Sequence, residues 1–273
     1  MEKTYQLNYS FITHSNKPVI LFLHGFMGNL AEFQPVIELL NQEYSLLTVD
    51  LPGHGKTQVL GGDEYYTMEN TANAIINLLA ELKINQCLLV GYSMGGRLAL
   101  YLTLHFPEHF TKVILESASP GLATEREQLA RIKSDAQIAR KLARTTSKID
   151  FETFLNNWYN QPIFSDIKHH PQFATMLASR LQNQPEELAK SLQFMGTGKQ
   201  LSLWNKLAEN TTPLLLLVGE HDQKFREINT EILKKAQLAQ LQIINHAGHN
   251  IHLENTQKFV QNMQNFLTNP TPK

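Results

Sequence analysis

The sequence GYSMGGR at 91–97 decides the prediction of the fold. It follows the apolar run QCLLV at 86–90 and precedes a helical pattern over 94–105. A serine between glycines at such a junction is typical of a sharp strand-to-helix turn, which lifts its hydroxyl out of a sheet. The glycines are needed because a side chain at either position would clash with a neighbouring strand or helix. The pattern predicts that Ser93 is a nucleophile or a base.

Short apolar runs recur along the chain, and each is followed by turn residues and then by a helical pattern. Such alternation indicates a parallel sheet that is covered on both faces. The runs are VILFL (19–23), YSLLTVD (44–50), QCLLVG (86–91), KVILES (112–117), PLLLLVG (213–219) and LQIIN (241–245). Helical patterns fall near 31–41, 68–82, 94–105, 226–236 and 255–267.

Between about 120 and 210 this alternation stops, and helical periodicity continues without any strand-like run. The segment comprises a long polar helix at 125–145, the aromatic stretch FLNNWYNQPIF at 154–164, and helices near 170–182 and 186–194. We interpret 120–210 as a helical cap, inserted after the sixth core strand, and 1–119 with 211–273 as the core domain. Such insertions commonly shape a ligand site at the carboxyl ends of the strands. The last residues, NPTPK, are expected to be frayed.

Composition argues against several classes of function. The 273 residues include 24 basic and 25 acidic ones, and neither sign forms a long block, so no basic surface is offered to nucleic acid or an anionic membrane. One cysteine precludes an internal disulfide and suits a reducing compartment. The N-terminal stretch lacks a signal-peptide core, and no apolar run approaches the length of a membrane span. We expect a cytoplasmic protein without nucleic-acid or membrane partners, and its oligomeric state stays open.

A serine hydroxyl needs a base, and the base needs an acid that orients it. In the α/β-hydrolase fold these residues follow in the order Ser, Asp or Glu, and His. Asp222 lies in VGEHD, just past the strand-like run PLLLLV, and His249 lies in HAGHN, just past LQIIN. Both are therefore expected at the same edge of the sheet as Ser93. We predict that these three residues form a catalytic triad.

Each partner of the serine has a rival in the sequence. Glu116 ends the run KVILE and is an alternative acid, although Asp222 is favoured. His246 and His252 flank His249 at three-residue steps, but His249 best fits a turn directly after the last strand. Three histidines also suggest a metal site. No metal is predicted, because a glycine-interrupted loop does not align them and no carboxylate or cysteine cluster completes a ligand set.

The loop HGFMG at 24–28 follows the first strongly apolar strand. In this fold that loop supplies one backbone N–H of the oxyanion hole, and the residue after the nucleophile supplies the other. Phe26 and Met94 are the corresponding residues. The turn-rich loop DLPGHG at 50–55 is predicted to be structural or pocket-lining rather than catalytic.

Over most of its length the chain resembles the 2-succinyl-6-hydroxy-2,4-cyclohexadiene-1-carboxylate synthases of menaquinone and phylloquinone biosynthesis. The resemblance rests on LHGFMG, DLPGHG, GYSMGGR, ESASPGL, NNWYNQPIF, GTGKQLSLW, GEHDQKF and AGHNIHLEN. Many hydrolases share the core motifs. Three features are much narrower: the arginine directly after SMGG, the WYNQPIF segment and the lysine in HDQKF.

This resemblance implies a lyase that eliminates pyruvate from a cyclohexene carboxylate bearing succinyl and enolpyruvyl groups. The serine–histidine pair would abstract a ring proton, and the oxyanion hole would stabilise the charge that develops on the succinyl carbonyl oxygen. Such a step needs no cofactor. The partner would be a small molecule with several carboxylates.

A substrate with three carboxylates calls for fixed cations, and arginine can hold a carboxylate through two hydrogen bonds. Arg97 has independent support, because it lies one helical turn beyond Ser93 and so on the same face. The other nominations rest on the resemblance alone. The predicted substrate-binding residues are Tyr92, Arg97, Arg131, Trp158, Arg180 and Lys224.

Two alternative functions remain at this stage. A hydrolase of an ester, thioester or carbon–carbon bond shares the fold and the triad, because function is set by the site rather than by the fold. The arginines argue against a hydrolase of apolar esters, whose cap should carry apolar side chains. A non-catalytic binding protein would not need all three triad residues. This chain has all three, which argues against that alternative.

Overall fold

The computed structural model describes residues 4–40, 42–164 and 167–268 of the chain. Its strands are β1 (Tyr5–Gln6), β2 (Tyr9–Ile12), β3 (Val19–Leu23), β4 (Ser45–Val49), β5 (Gln58–Val59), β6 (Cys87–Tyr92), β7 (Phe110–Glu116), β8 (Leu214–Gly219) and β9 (Ala239–Ile244). Seven of these strands form one sheet in the order β2-β4-β3-β6-β7-β8-β9, parallel throughout except that β2 runs antiparallel to β4. The two remaining short strands, β1 and β5, form a separate antiparallel pair.

Helices cover both faces of the large sheet. They are α1 (Gln34–Leu40), α2 (Met68–Glu81), α3 (Met94–His105), α4 (Glu125–Ala143), α5 (Lys148–Trp158), α6 (Phe173–Arg180), α7 (Pro185–Met195), α8 (Gln223–Lys235), α9 (Ile251–Glu254) and α10 (Thr256–Thr268). Short 3-10 helices, among them Leu30–Phe33 and Trp204–Glu209, complete the helical structure.

The strands alternate their side chains between two hydrophobic clusters, one on each face. Leu21 of β3 packs in the cluster that contains α2, α3 and α8, whereas Ile20 and Phe22 pack in the cluster that contains α1 and α10. Each of these three side chains is at most 1% exposed. Burial on both faces explains the near-continuous apolar runs of the sequence. The predicted α/β fold with a mostly parallel sheet is confirmed.

The segment between β7 and β8 is helical and contains α4 to α7. Thr124 and Glu127 form a reciprocal capping box that starts α4, and α4 packs against α7 around Leu142 and Leu188. In chain order β7 is the fifth strand of the large sheet, whereas the sequence placed the insertion after a sixth. Counted over all the described strands β7 is the seventh, since β1 and β5 form a separate pair.

Three local differences from the predicted elements have physical causes. The edge strand β2 was not predicted, because it is short and mostly exposed and is held by its backbone bonds to β4. The helix predicted near 226–236 starts at Gln223, because the Asp222 side chain caps it. The helix predicted near 255–267 corresponds to α10, and the preceding α9 was not predicted because it is only four residues long. The predicted frayed end, 269–273, lies outside the described residues.

The single cysteine, Cys87, is buried at the start of β6, and burial raises the pKa of its thiol to about 12. Within the described residues, no helix combines the length and the apolar character that a membrane span requires.

Candidate active site

Ser93 occupies a strained turn between β6 and α3. Its φ of 49° and ψ of −104° lie outside the ordinary regions for a residue with a side chain. The turn is held by the Ser93 N–H, which donates to the Glu116 carbonyl at 2.8 Å. A Cβ added at Gly95 would lie 2.1 Å from the Leu23 carbonyl oxygen, so only glycine lets α3 approach the sheet this closely.

Ser93, His249 and Asp222 form a continuous hydrogen-bonded chain. His249 Nε2 lies 2.9 Å from Ser93 Oγ, and His249 Nδ1 lies 2.6 Å from Asp222 Oδ2. Because a carboxylate only accepts, Nδ1 carries the proton and Nε2 is left to accept from the serine hydroxyl. Asp222 Oδ1 accepts in turn from the Phe225 N–H at the start of α8, which fixes the carboxylate.

The rival residues are engaged elsewhere. Glu116 accepts from the His252 ring at 2.7 Å and from the His252 backbone N–H at 3.0 Å, so its carboxylate serves a different histidine. His246 is exposed, and its N–H donates to Glu220. The structure thus brings Asp222 and His249, rather than these rivals, to the serine. No group of three or more His, Cys, Asp or Glu side chains within 4–40, 42–164 and 167–268 could hold a metal.

A cavity of about 300 Å³ opens over Ser93 and His249. Phe26 and Met94, the residues predicted to form the oxyanion hole, both line it. Its walls come from the loops after β3, β6 and β7, from the start of α8 and from the helical segment. Further lining residues are Arg97, Ser119, Gly121, Arg131, Trp158, Phe164, Gly196, Thr197 and Lys224.

Arg97 is a buried arginine and not a solvated one. Its side chain is 7% exposed, and it donates from Nη1 to the Gln200 amide oxygen at 2.8 Å and from Nη2 to the Met195 carbonyl at 3.0 Å. Two further cations, Arg131 and Lys224, line the same cavity. Arg131 is half-buried and bonded to Asp135 at 2.6 Å.

Arg131 repels both of the other cations. Burial and, to a smaller extent, the nearby Arg131 charge lower the pKa of Arg97 to about 10, although Asp135 opposes both effects. Partial burial and the same Arg131 charge lower the pKa of Lys224. A cavity that holds this much positive charge favours an anionic ligand, because an anion would relieve the repulsion.

The two predicted aromatic neighbours occupy different places. Trp158 lines the cavity and packs edge-on against Phe26, with ring centroids 5.7 Å apart. Tyr92 is buried behind the triad, with its ring 5.5 Å from that of His249, and it is not among the described residues that line the cavity.

Arg180 does not reach the cavity. It is 2% exposed; its Nη1 lies 2.5 Å from Glu32 Oε2, and its Nη2 donates to Glu32 Oε1 at 2.6 Å. The Tyr159 hydroxyl accepts from Arg180 Nε at 3.1 Å. The sequence nominated this arginine as a substrate ligand, but the structure gives its charge a protein partner.

His252 completes this buried group of charges. Its Nδ1 donates to Glu116 at 2.7 Å and its Nε2 donates to Glu32 at 3.1 Å, so both ring nitrogens carry protons. Burial alone would lower the pKa of His252, but the two carboxylates raise it to about 9. We call Glu32, Glu116, Arg180 and His252 the ion cluster; its two positive and two negative charges balance.

Sequence reasoning missed Gln200 and Glu32. Gln200 bonds to Arg97 from 103 positions along the chain, and no spacing rule links residues so far apart. The only available signal was its place in the motif GTGKQLSLW. Glu32 lies in an amphipathic turn, where an acidic residue is ordinarily a solvated one.

Comparisons with known proteins agree with this architecture. A family profile described as alpha/beta hydrolase fold matches residues 18–256. The 2-succinyl-6-hydroxy-2,4-cyclohexadiene-1-carboxylate synthase of Enterobacter sp. (strain 638) is 36% identical over 241 residues, which cover 87% of each chain. The enzyme of the same name from Serratia proteamaculans (strain 568) is 32% identical over 94% of this chain and 95% of its own. The solved structure of MenH from S. aureus superposes with a TM-score of 0.86 at 32% identity and covers 97% of this chain and 98% of that one.

Proposed function

The chain belongs to the 2-succinyl-6-hydroxy-2,4-cyclohexadiene-1-carboxylate synthases of the α/β-hydrolase fold, and from this membership we propose that it is a carbon–oxygen lyase. Its substrate is 2-succinyl-5-enolpyruvyl-6-hydroxy-3-cyclohexene-1-carboxylate, from which it eliminates pyruvate in menaquinone biosynthesis. The proposed place of action is the cytoplasm.

One observation supports this choice above all others: the hydrogen-bonded residues Ser93, His249 and Asp222 lie beside a cavity that three cations line. Arg97, Arg131 and Lys224 line the cavity together with Ser93. The substrate carries three carboxylates, whereas a simple ester offers such cations no partner. Charged hydrogen bonds to carboxylates are the strong ones, so these cations favour the lyase over a hydrolase of apolar esters.

The mechanism begins with proton abstraction. Ser93, with His249 as the final proton acceptor, removes the proton from the ring carbon that carries the succinyl group. The electron pair moves into the ring, the ring double bond shifts, and the bond to the enolpyruvyl oxygen breaks. The released enolate takes up a proton to become pyruvate. Asp222 stabilises the imidazolium that forms on His249.

The backbone N–H groups of Phe26 and Met94 are the proposed oxyanion hole. They stabilise the negative charge on the succinyl carbonyl oxygen during proton abstraction. Trp158 and the cations supply the binding surface. We further propose that 120–210 is a cap over a core formed by 1–119 and 211–273, since Trp158, Arg131 and Thr197 of that segment line the cavity.

Ser93→Ala tests the proposal in an assay of pyruvate release from freshly prepared substrate. The rate is expected to fall by at least about a thousand-fold, because the serine and histidine act as a unit. Ser134→Ala, at an exposed position on α4, is the matched control and should keep the wild-type rate. Rapid hydrolysis of a p-nitrophenyl ester, without Ser93-dependent pyruvate release, would contradict the lyase and favour a hydrolase.

A further inference from the structure

The buried charge of Arg97 lacks a bonded carboxylate. In the described part of the chain, both side-chain hydrogen bonds of this guanidinium go to neutral oxygens, those of Gln200 and Met195. Asp135, which acts on Arg97 only through space, is bonded to Arg131. A buried ion without an opposite charge is costly, so a protein that retains one has a use for it.

Gln200 is itself buried and its orientation is fixed by chemistry. It is 3% exposed. Because a guanidinium can only donate, the amide oxygen must face Arg97, and Nε2 must point away. Nε2 has no hydrogen-bond partner in the described residues, and a Cβ on Gly121 would lie 3.2 Å from it. Nothing around Nε2 therefore requires an amide rather than a carboxylate.

The loop that carries Gln200 is held from two sides. A Cβ on Gly196 would come within 2.6 Å of the Asp135 carboxylate, so the loop passes close against α4. On its other side the Leu203 N–H donates to the Pro120 carbonyl and the Trp204 indole donates to the Gly121 carbonyl. The loop therefore sets where the Gln200 oxygen lies, and with it where the Arg97 guanidinium lies.

Gln at position 200 leaves Arg97 without a carboxylate at hydrogen-bond distance. A glutamate has the same shape and would form a buried ion pair with Arg97, which would stabilise the protein but satisfy the guanidinium internally. We propose that Gln200 is a positioning residue that aims Arg97 into the cavity while leaving its positive charge for a substrate carboxylate. This inference rests on the proposed function for the class of substrate.

Gln200→Glu is the decisive variant. It replaces one NH₂ group by oxygen and is expected to hold or raise Tm, because it pairs a buried cation. It should lower kcat/KM by about 10- to 100-fold, mainly through KM, because a substrate carboxylate must then compete with an internal one. Gln193→Glu, at an exposed position on α7, adds the same charge away from the cavity and should leave both quantities unchanged.

Gln200→Leu tests whether Gln200 positions Arg97, without changing the charge near Arg97. Leucine removes the acceptor and adds no charge, so Tm should fall below that of the wild type and KM should rise. We therefore expect the Tm of Gln200→Glu to equal or exceed that of the wild type, and the Tm of Gln200→Leu to be the lowest of the three. Wild-type kcat/KM in Gln200→Glu would overturn the proposal, and so would a Tm of Gln200→Glu below that of Gln200→Leu.

Stabilisation by citrate, which carries three carboxylates, provides a readout that does not depend on turnover. Citrate should raise the Tm of the wild type and of Gln193→Glu, and should raise that of Gln200→Glu much less. If the wild type released no pyruvate, the proposed function would fail while the citrate series still tested Gln200. Equal stabilisation of the wild type and Gln200→Glu would overturn the role of Gln200.

Discussion

The three cations on the cavity differ in how far they are withdrawn from water. Arg97 is almost fully buried, Arg131 is half-buried and bonded to Asp135, and Lys224 is exposed at the rim. An interaction with a carboxylate gains strength as water is excluded, because the effective dielectric constant falls. Their contributions to substrate binding should therefore be unequal.

Methionine substitutions of the buried and the exposed cation test this ranking. Arg97→Met should lower kcat/KM by about 10- to 150-fold, the equivalent of one charged hydrogen bond. Lys224→Met should lower it by only about two- to five-fold, as is usual for an exposed ion pair. Steady-state kinetics of pyruvate release would measure both. Lys235→Met, an exposed change on the same helix as Lys224, is the control, and a larger loss for Lys224 than for Arg97 would refute the ranking.

Residues that act in a local motif were easier to predict than residues that act across the fold. Ser93 and His249 follow strands at recognisable turns, and their predicted neighbourhood with Asp222 matches the observed distances. Arg180 shows the opposite case: its residue type suited a carboxylate ligand, but Glu32 is already its carboxylate. Glu32 lies 148 positions from Arg180 in the sequence. A sequence pattern does not reveal a partner at that distance, so the ion pair could not be predicted.

At the scale of elements, the ion cluster joins four parts of the chain. Glu116 ends β7, Glu32 lies in the turn before α1, Arg180 ends α6 and His252 lies in α9. Burial alone would lower the pKa of Arg180 and raise that of Glu32, but their mutual attraction outweighs burial and reverses both shifts. The cluster therefore connects α6 to the sheet and to α9, which directly follows the loop that carries His249.

Removing Arg180 should destabilise the fold more than it impairs the chemistry. Arg180→Met leaves Glu32 buried with only His252 to balance it, and breaking a buried pair in this way costs about 3–5 kcal/mol. Urea unfolding would measure the loss. The double variant with Glu32→Gln should recover part of it, since no unpaired carboxylate remains. A stable Arg180→Met protein with a strongly raised KM would instead make Arg180 a substrate ligand, as the sequence indicated.

Five strands of the large sheet were predictable because they are largely buried on both faces, namely β3, β4, β6, β7 and β8. The edge strand β9 was predicted from the run LQIIN although most of its residues are at least partly exposed. The six apolar runs lie within two residues of the observed strands at either end. β2 was missed because burial does not select its residues: its pattern is mainly exposed, and Tyr9 is 42% and Ile12 39% exposed. The helix predicted near 255–267 matches α10, whereas α9 was missed because its four residues are too few to show a helical period.

For the molecule as a whole, the ion cluster makes stability depend on pH. His252 is charged in the folded protein up to a pKa of about 9, against 6.5 for an ordinary histidine. A raised pKa contributes stability that is complete below pH 6.5 and is lost as the pH rises towards 9, amounting to about 3 kcal/mol. Glu32 and Glu116 are the charged neighbours that raise the pKa of His252. Arg180 supplies the second positive charge of the ion cluster through its pair with Glu32.

Urea unfolding at pH 6, 7.5 and 9 would measure this loss in the wild type. His252→Gln should flatten the profile over the same range, whereas His14→Gln, at an exposed position, should leave it unchanged. A wild-type free energy of unfolding that stayed constant or rose between pH 6.5 and 9 would show that His252 is not held protonated by the two carboxylates.

The burial of Cys87 has a practical consequence for labelling. Its thiol is buried in the hydrophobic cluster on one face of the sheet and has a pKa of about 12, so it is neither accessible to a maleimide nor ionised enough to attack one at neutral pH. A cysteine placed on an exposed helix, such as α8, would be the one reactive thiol of the folded molecule. Fluorescent dyes could then be attached at a chosen site without first removing the natural cysteine.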